Sequence, residues 1–389
     1  MKVIRTSTIP LSLNVLLKGQ LKFLNDFFEI VGISSEGPLL DEVKQREGIK
    51  TIAVNMERGI SPVKDLISLF RLYHILKSEK PVIVHSITPK AGLLTMLAGK
   101  MAGVPIRIHT FTGLIFPTKK GIIQKILINM DRLLCGAATN IYPEGQGVKK
   151  DLINYNITSK PLKVIANGNV NGIDLHYFSS ENISDSQKAL LRQDLGIISS
   201  DFIFVFVGRL VGDKGINELV NAFSQISKNA YRLKPVKLLL IGPLEEHLDP
   251  LQSETIKEIK NNPDILDLGF QNDIRPYLAI SDALVFPSYR EGFPNVVMQA
   301  GAMGLPSIVS DINGCNEIIV EGRNGTIIPV KNSEKLRSAM EIFLSDTDYY
   351  HRLRENARQM IEFRYEQSVI WNELLNEYKT LLKEKNIDV

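Results

Sequence analysis

The sequence contains little cysteine and no long apolar run. Its 389 residues include two cysteines, Cys135 and Cys315, which lie far apart. They provide neither a disulfide framework nor a metal-ligand spacing, and this favours a reducing cytoplasm. No uninterrupted apolar run reaches the roughly 18 residues of a membrane-spanning helix. The apolar stretch 9–17 imitates a signal peptide, but Pro10 and Asn14 interrupt it and no small-residue cleavage site follows.

Common nucleotide- and metal-binding signatures are absent as well. The sequence has no Walker spacing, and no G-x-G-x-x-G motif opens either half. The sole Asp-x-Asp, Asp346-Thr347-Asp348, lies in a polar segment and is predicted to cap a helix. Nothing here predicts a metal site.

Length predicts two domains, and the charge of the two halves differs. A chain of 389 residues exceeds one core, so two domains of about 150–200 residues are expected. Residues 1–175 contain 23 Lys/Arg and 13 Asp/Glu, a balance of +10, whereas 176–389 contain 23 and 30, a balance of −7. The basic half suits an anionic partner such as a membrane surface, a diphosphate lipid or nucleic acid, or it is a solvated surface without a partner.

The first half alternates apolar strands with helical patterns. Helices are predicted over 62–77 and 89–101, the second with Thr88 as N-cap and Pro89 in its first turn. This alternation predicts a doubly wound parallel sheet. The predicted strands are 2–6, 29–34, 51–54, 82–85, 106–110, 139–142 and 163–166.

The segment 117–134 is a basic amphipathic helix pattern. Such a helix lies in a bilayer interface or packs its apolar side on its own sheet, and the sequence leaves both open. Its cations are Lys119, Lys120, Lys125 and Arg132, and its apolar residues are Ile122, Ile123, Ile126, Leu127, Met130 and Leu133.

A second α/β series follows a polar join at 166–200. After a predicted strand, 202–207, comes a glycine-rich loop, 208–215, and then a helix, 216–226. A strand-to-helix loop that carries Arg209 and Lys214 predicts phosphate binding through charge and free N–H groups. Further strands are predicted at 237–241, 265–268 and 283–287, and a last helix at 365–385.

The stretch 288–311 contains the strongest candidate site. Glu291 follows a buried strand, and a helix is predicted from Pro294 to Gly304 before another strand, 307–309. Ligands of open α/β sheets bind at the carboxyl ends of parallel strands, and helix N-termini favour anions. Glu291 therefore either caps this helix or accepts hydrogen bonds from ligand hydroxyls.

Several motifs in this order resemble glycosyltransferase family 4, over nearly the whole chain. Members are retaining nucleotide-sugar transferases with the GT-B fold, and the resemblance is nearest to enzymes of bacterial capsule, O-antigen and lipid-linked glycans. The motifs are Thr88-Pro89-Lys90-Ala91-Gly92, Ile108-His109-Thr110, Asn171-Gly172-Ile173-Asp174, Gly208-Arg209 with Lys214-Gly215, Glu291-Gly292-Phe293-Pro294-Asn295, Ser310-Asp311, Gly314, Glu317, Gly322 and Asn324-Gly325.

The resemblance implies two Rossmann-like doubly wound domains that face each other across a cleft. The acceptor would bind to 1–175, which the last helix, 366–385, would rejoin. The nucleotide-sugar would bind to 176–365.

It also implies roles for individual residues. Arg209 and Lys214 would hold the diphosphate and stabilise the leaving nucleotide, as a metal does elsewhere. Glu291 would accept hydrogen bonds from donor-sugar hydroxyls. No metal or other cofactor is expected. The remaining residues expected to contact the donor are Gly208, Gly292, Phe293, Pro294, Asn295 and Gln299.

Two positions depart from the family pattern. Gln299 stands where a second glutamate usually binds the ribose, so altered nucleotide affinity is expected. On the acceptor side, Thr112, next to Gly113, occupies the usual histidine position, and His109 either replaces that histidine catalytically or is a hydrogen-bonded strand residue.

The expected function is transfer of a hexose or N-acetylhexosamine from a UDP-sugar to a polyprenyl-diphosphate-linked or other glycan acceptor. The enzyme would be retaining and metal-independent, and peripheral on the cytoplasmic face of the inner membrane. The alternatives are a non-catalytic glycan- or lipid-binding protein and a UDP-N-acetylhexosamine epimerase. Nucleic acid is not an expected partner, because no aromatic-interleaved basic patch is present.

Overall fold

A computed structural model describes residues 1–57, 59–229, 234–245 and 249–387. The chain forms two compact units, Met1–Gly172 together with the segment from Gln367 onward, and Ile173–Glu366. The sequence analysis placed the two divisions after 175 and after 365. Each unit is built on its own parallel sheet.

The first unit contains a six-stranded parallel sheet in the order β3-β2-β1-β4-β5-β6. Strands of a parallel sheet are covered on both faces, and this explains why they read as nearly continuous apolar runs. The strands are β1 Lys2–Thr6, β2 Glu29–Ser34, β3 Lys50–Ala53, β4 Ile83–Ser86, β5 Ile106–Phe111 and β6 Asn140–Pro143.

Among residues 1–57 and 59–172, seven α-helices accompany this sheet. Four of them start with proline, whose fixed φ and missing N–H suit the first helical turn. The helices are α1 Pro10–Leu16, α2 Gln20–Asn25, α3 Pro38–Glu47, α4 Pro62–Glu79, α5 Pro89–Ala102, α6 Gly121–Ala137 and α7 Gln146–Asn154.

One sequence prediction in this unit is wrong, and another is confirmed only in part. The segment 163–166 is not a strand: only the preceding Leu162 bridges to Ile141, and Ala166 has a φ of 47° that breaks the extended backbone. Thr88 occupies the N-cap position of α5 without capping it. The cap comes from the loop after β1, where Thr8 Oγ1 accepts a hydrogen bond from the N–H of Ala91 at 3.2 Å.

The second unit contains another six-stranded parallel sheet, in the order β12-β11-β10-β7-β8-β9. The strands are β7 Phe202–Val207, β8 Val236–Ile241, β9 Ile265–Asp267, β10 Ala283–Phe286, β11 Ser307–Ser310 and β12 Gly325–Ile328. Strand β12 lacked a sequence prediction. Because β7 lies next to β10, the loops that follow these two strands meet at the same edge of the sheet.

The part of the second unit that the structure describes contains eight α-helices. As predicted, Asp346 is the N-cap of α15, and its carboxylate accepts a hydrogen bond from the N–H of Tyr349 at 2.9 Å. The helices are α8 Asp185–Asp194, α9 Ile216–Ser227, α10 Ser253–Asn261, α11 Arg275–Ile280, α12 Asn295–Ala302, α13 Cys315–Ile318, α14 Ser333–Ser345 and α15 Thr347–Tyr365.

The last helix, α16 Gln367–Glu384, belongs to the first unit. Its predicted apolar face is buried there, including Tyr378 and Leu382. Trp371 packs on Phe23, with ring centroids 5.5 Å apart, and its Nε1 donates to Asn171 Oδ1 at 2.8 Å. Among the described residues, no helix combines the length and apolar character that a membrane crossing requires.

Candidate active site

The loops after β7 and β10 are joined at the edge of the second sheet. Gly215 has a φ of 71°, and a Cβ at this position would lie 2.2 Å from the carbonyl oxygen of Pro287. The N–H of Tyr289 donates to the carbonyl oxygen of Asp213 at 2.8 Å. The glycine-rich loop 208–215 and the segment 287–294 therefore form one platform, which requires glycine at 215.

This platform brings Lys214 and Glu291 together. Lys214 Nζ forms an ion pair with Glu291 Oε1, and the two side chains are only 15% and 17% exposed. The buried hydroxyl of Ser288 donates to the same Oε1 at 2.9 Å. Lys214 Nζ also lies 5.8 Å from the ring centroid of Phe286. These contacts hold the carboxylate and the ammonium in a fixed position at the carboxyl end of β10.

The alternative that Glu291 caps helix α12 is wrong. The N-cap residue of α12 is Pro294, which makes no side-chain capping hydrogen bond. Glu291 uses its Oε1 for Lys214 and Ser288 instead.

Two further cations of the platform carry carboxylate partners. Arg209 Nη1 lies 3.1 Å from Glu245 Oε2, and the Arg209 side chain is 42% exposed. Arg290 Nη2 lies 3.1 Å from Asp213 Oδ2. Each cation around loop 208–215 is thus paired with a carboxylate, and an incoming anion would exchange one anionic partner for another.

Backbone groups surround the acidic residue. Gly314 has a φ of 75°, and a Cβ there would lie 2.4 Å from the carbonyl oxygen of Gly292. Phe293 is buried, and its ring packs against Tyr365 with centroids 5.5 Å apart. Phe293 and Gly292 therefore offer main-chain rather than side-chain contacts to a ligand.

The remaining predicted donor contacts lie along the same edge. Gly208 directly follows β7, and a Cβ on Gly242 would lie 1.9 Å from the carbonyl oxygen of Gly208. Asn295 begins α12, and Gln299 lies one turn further along that helix and is half-buried.

Sequence reasoning missed three partners of the site. Ser288, Asp213 and Glu245 orient Glu291, Arg290 and Arg209 respectively. Ser288 carried a signal, because it is the first hydroxyl after a buried strand. Glu245 carried none, since its loop follows a different strand, β8.

His109 lies in the interior of the first unit. Its side chain is 1% exposed, and its Nδ1 is 2.8 Å from Ser86 Oγ. A Cβ on Gly92 would lie 2.4 Å from its Cε1, so helix α5 packs directly on the ring. Burial lowers the pKa of His109 to about 3, which keeps the ring neutral. The geometry favours the hydrogen-bonded strand residue over the catalytic histidine.

Thr112 and Gly113 follow β5 in the same unit. Thr112 Oγ1 donates to the carbonyl oxygen of Ile87 at 2.9 Å, so the loop after β5 is tied to the loop after β4. Gly113 has a φ of 130°, a backbone conformation that favours glycine.

Helix α6 has one packed face and one exposed apolar face. Leu134 and Cys135 are buried in the unit, as the packing alternative predicts. However, Ile122 and Ile123 are 77% and 57% exposed, and Lys125, which directly precedes Ile126, is also exposed. Only part of the predicted apolar face is covered.

Comparison with known proteins identifies the family. The family model described as Glycosyl transferases group 1 matches residues 187–360, and the model described as Glycosyl transferase 4-like matches residues 13–144. The capsular polysaccharide biosynthesis glycosyltransferase CapM of Staphylococcus aureus is 31% identical over 95% of this chain and 94% of its own length. The chain belongs to glycosyltransferase family 4. Its activity is glycosyl transfer.

Other relatives and solved structures agree with this family. A UDP-Gal:alpha-D-GlcNAc-diphosphoundecaprenol alpha-1,3-galactosyltransferase of Escherichia coli is 30% identical over 87% of the chain and 85% of its own length. A glycosyltransferase from Rickettsia africae superposes with a TM-score of 0.80 at 21% identity, covering 98% of both chains. Anabaena HepE in complex with UDP superposes with a TM-score of 0.79 at 18% identity, covering 98% of this chain and 100% of HepE. The fold is therefore GT-B, as the motifs implied.

Proposed function

We propose that the protein is a retaining, metal-independent transferase that moves a hexose or N-acetylhexosamine from a UDP-sugar to a polyprenyl-diphosphate-linked acceptor. The observation that carries the proposal is the ion pair of Lys214 and Glu291 between two neighbouring loops at the sheet edge. The name of the E. coli relative supports the donor and acceptor classes, and HepE with UDP supports the nucleotide.

Lys214 and Arg209 would stabilise the leaving diphosphate. As the bond between the anomeric carbon and the phosphate oxygen breaks, negative charge grows on the diphosphate, and fixed cations lower the energy of that state. When Lys214 pairs with the diphosphate instead of with Glu291, the carboxylate of Glu291 becomes available to accept hydrogen bonds from sugar hydroxyls. We propose metal independence because these two cations would stabilise the charge that a metal ion stabilises elsewhere.

Retention would follow from attack on the same face as departure. The acceptor hydroxyl forms the new bond to the anomeric carbon, and its proton passes to the leaving diphosphate oxygen. The α12 N-terminus, with the N–H groups that follow Glu291, would bind the phosphates or the sugar. His109 is left out of the reacting groups because its ring is buried.

The first unit would bind the acceptor beside Thr112 and Gly113. The excess of positive charge in residues 1–175 suits a lipid diphosphate and an anionic leaflet. The exposed isoleucines of α6, flanked by lysines, would insert at the surface of the cytoplasmic leaflet as a peripheral anchor.

A binding screen followed by a transfer assay tests this function. Melting temperatures are measured with UDP, GDP and a panel of UDP-sugars, each in the presence of EDTA. A ligand at 100 times its dissociation constant adds about 2.7 kcal/mol to stability, a readily detected shift. The active UDP-sugar is then incubated with polyprenyl-diphosphate-linked acceptors, and NMR determines the anomeric configuration of the product.

Each outcome has a defined meaning. We expect UDP-sugars to raise the melting temperature in the presence of EDTA. We also expect a donor with an axial anomeric bond to give a product with an axial anomeric bond. Dependence on divalent cations would refute metal independence, and inversion would refute retention. Nucleotide binding without transfer to any acceptor would instead favour a non-catalytic binding protein.

A further inference from the structure

The first unit contains an apolar crevice on its predicted acceptor side. It lies where helix α5, the segment after β5 and helix α6 meet, and Leu93, Phe111, Phe116, Leu127 and Met130 form its apolar walls. Its cavity volume is about 70 Å³, which is room for a small chemical group rather than a whole sugar.

One carboxylate interrupts these apolar walls. Asp131 lines the crevice and lies on the inner side of α6, one turn from Leu127 on one side and Leu134 on the other. It forms no hydrogen bond or ion pair with any described residue. The residue is half-buried, and a partly desolvated carboxylate without a donor is less favourable here than an apolar side chain.

No cation within the crevice offsets this charge. Lys90 is the one cation among the described residues that line it, and its Nζ is already paired with Asp65. Burial raises the pKa of Asp131 to about 7, and no charge-pairing interaction opposes the shift. The carboxylate thus lacks a donor within the described part of the unit.

A ligand group that fits must combine one donor with an apolar part. A sugar hydroxyl can donate a hydrogen bond to Asp131 but leaves the apolar walls exposed to water. A polyprenyl chain can cover the apolar walls but has no hydrogen-bond donor. An acetamido group has both: an N–H and, two bonds beyond it, a methyl group. Its carbonyl oxygen can remain hydrated, since the crevice is partly open.

We propose that the crevice binds the acetamido group of an N-acetylated acceptor sugar, with its N–H donating to Asp131 and its methyl group packed on Phe111, Phe116 and Leu127. The inference rests on the proposed function, because the crevice is lined by Gly113, which was predicted on the acceptor side, and by Lys90 of the same unit. Asp131 would then set acceptor specificity without contributing to the chemical step.

The transfer test uses matched acceptors and matched variants. Wild type, Asp131→Leu and Asp131→Asn are assayed with polyprenyl-diphosphate-linked GlcNAc and glucose, and with GalNAc and galactose. We expect wild type to prefer the acetamido sugar of a pair by about ten- to a hundredfold in kcat/KM, as a hydrogen bond to a charged group allows. Asp131→Leu should reduce this preference to less than about threefold and leave the KM for the UDP-sugar unchanged.

Asp131→Asn and a distant carboxyl are the controls. Asn keeps an acceptor oxygen without the charge, so its preference should lie between those of wild type and the Leu variant. Asp26→Leu removes an exposed carboxyl of the same unit and should change nothing. An unchanged preference in Asp131→Leu, or no preference in wild type, would overturn the inference while transfer itself upholds the proposed function.

A binding measurement distinguishes failure of this inference from failure of the proposed function. Saturation-transfer NMR with methyl glycosides of GlcNAc and GalNAc should show the strongest signal at the acetamido methyl in wild type, and a lost signal in Asp131→Leu. Binding of this kind without any transfer would leave the inference standing and refute the proposed function. Absence of both binding and preference would refute the inference whatever the transfer result.

Discussion

Lys214 and Glu291 are separated by 77 positions in the sequence and form an ion pair at the ends of the neighbouring strands β7 and β10. The buried hydroxyl of Ser288 donates a hydrogen bond to the Glu291 carboxylate of this pair. The two residues neutralise each other before any substrate binds. In the proposed function their roles nevertheless differ, because Lys214 would bind the diphosphate and Glu291 the sugar.

Separating the pair by mutation should therefore give two phenotypes. Lys214→Met should weaken UDP binding and lower kcat by about 10²–10³-fold, as loss of a transition-state cation does elsewhere. Glu291→Ala should retain UDP affinity but lose most transfer activity. Calorimetry and steady-state kinetics measure the two effects.

Lys228→Met is the matched control for these variants. Lys228 pairs with Glu258 in the same unit, but its side chain is 64% exposed, and surface pairs of this kind contribute roughly 0–1 kcal/mol. Transfer at the wild-type rate by Glu291→Ala would show that the site is assigned to the wrong residue.

Gly215 should be irreplaceable for a steric reason. Gly215→Ala introduces a Cβ 2.2 Å from the carbonyl oxygen of Pro287, whereas Gly269, with a similar φ of 60°, has open space around it. Gly269→Ala should cost about 1–2 kcal/mol for the backbone conformation alone, and Gly215→Ala roughly 1–3 kcal/mol more for the overlap. Urea unfolding compares the two, and equal losses would contradict the close approach of the loops.

Strands with continuous apolar runs were readily predicted from the sequence. The bounds of β1, β2 and β7 match those of the structure, because strands of a parallel sheet are buried on both faces and need little else to be recognised. The segment 163–166 shows where this signal fails. Its sequence is mostly apolar, but pairing depends on a neighbouring strand, and the positive φ of Ala166 does not fit an extended strand.

The site was only partly predictable for the same reason. The sequence indicated that Glu291 and Lys214 each follow a strand, but only the strand order makes β7 and β10 neighbours. Similarly, the burial of His109 depends on Gly92 in helix α5, 17 positions earlier, which packs against its ring. Contacts between distant segments decide both cases.

Gln299 offers a test of the nucleotide side of the site. Gln299→Glu should strengthen UDP binding several-fold, because a carboxylate accepts stronger hydrogen bonds from ribose hydroxyls than an amide oxygen does. Gln299→Ala should weaken it by a similar factor. Calorimetry with UDP and with free uracil separates ribose contacts from base contacts, and an unchanged affinity in both variants would place the ribose elsewhere.

The exposed face of α6 should determine membrane binding. Changing Ile122 and Ile123 together to Ser should abolish sedimentation with vesicles of anionic phosphatidylglycerol, because each buried isoleucine contributes about 1.5–3 kcal/mol. The melting temperature should not fall, since both side chains are exposed. Phe363→Ser, an exposed apolar residue of the second unit, is the control and should not affect binding. Sedimentation of the double variant at the wild-type level would exclude this face.

Asp131 should make stability decrease as the pH rises. Its pKa is about 7 in the folded protein against 3.8 for the free side chain, so between these values the folded state retains a proton that the unfolded state has lost. Stability linked to this group is therefore complete below about pH 4 and is lost as the pH rises through 7. Asp131→Asn removes the dependence, and at pH 8 it should exceed wild type by an amount on the order of a few kcal/mol.

Urea unfolding of both proteins at pH 5 and pH 8 measures this effect. The advantage of Asp131→Asn over wild type should grow with pH, whereas Asp26→Asn, which changes an exposed carboxyl, should follow wild type at both. A carboxyl kept without a donor at such a cost to the free enzyme is the pattern expected when the donor arrives with the substrate. An advantage that is the same at both pH values would mean that Asp131 is solvated, and the acetamido site would lose its physical basis.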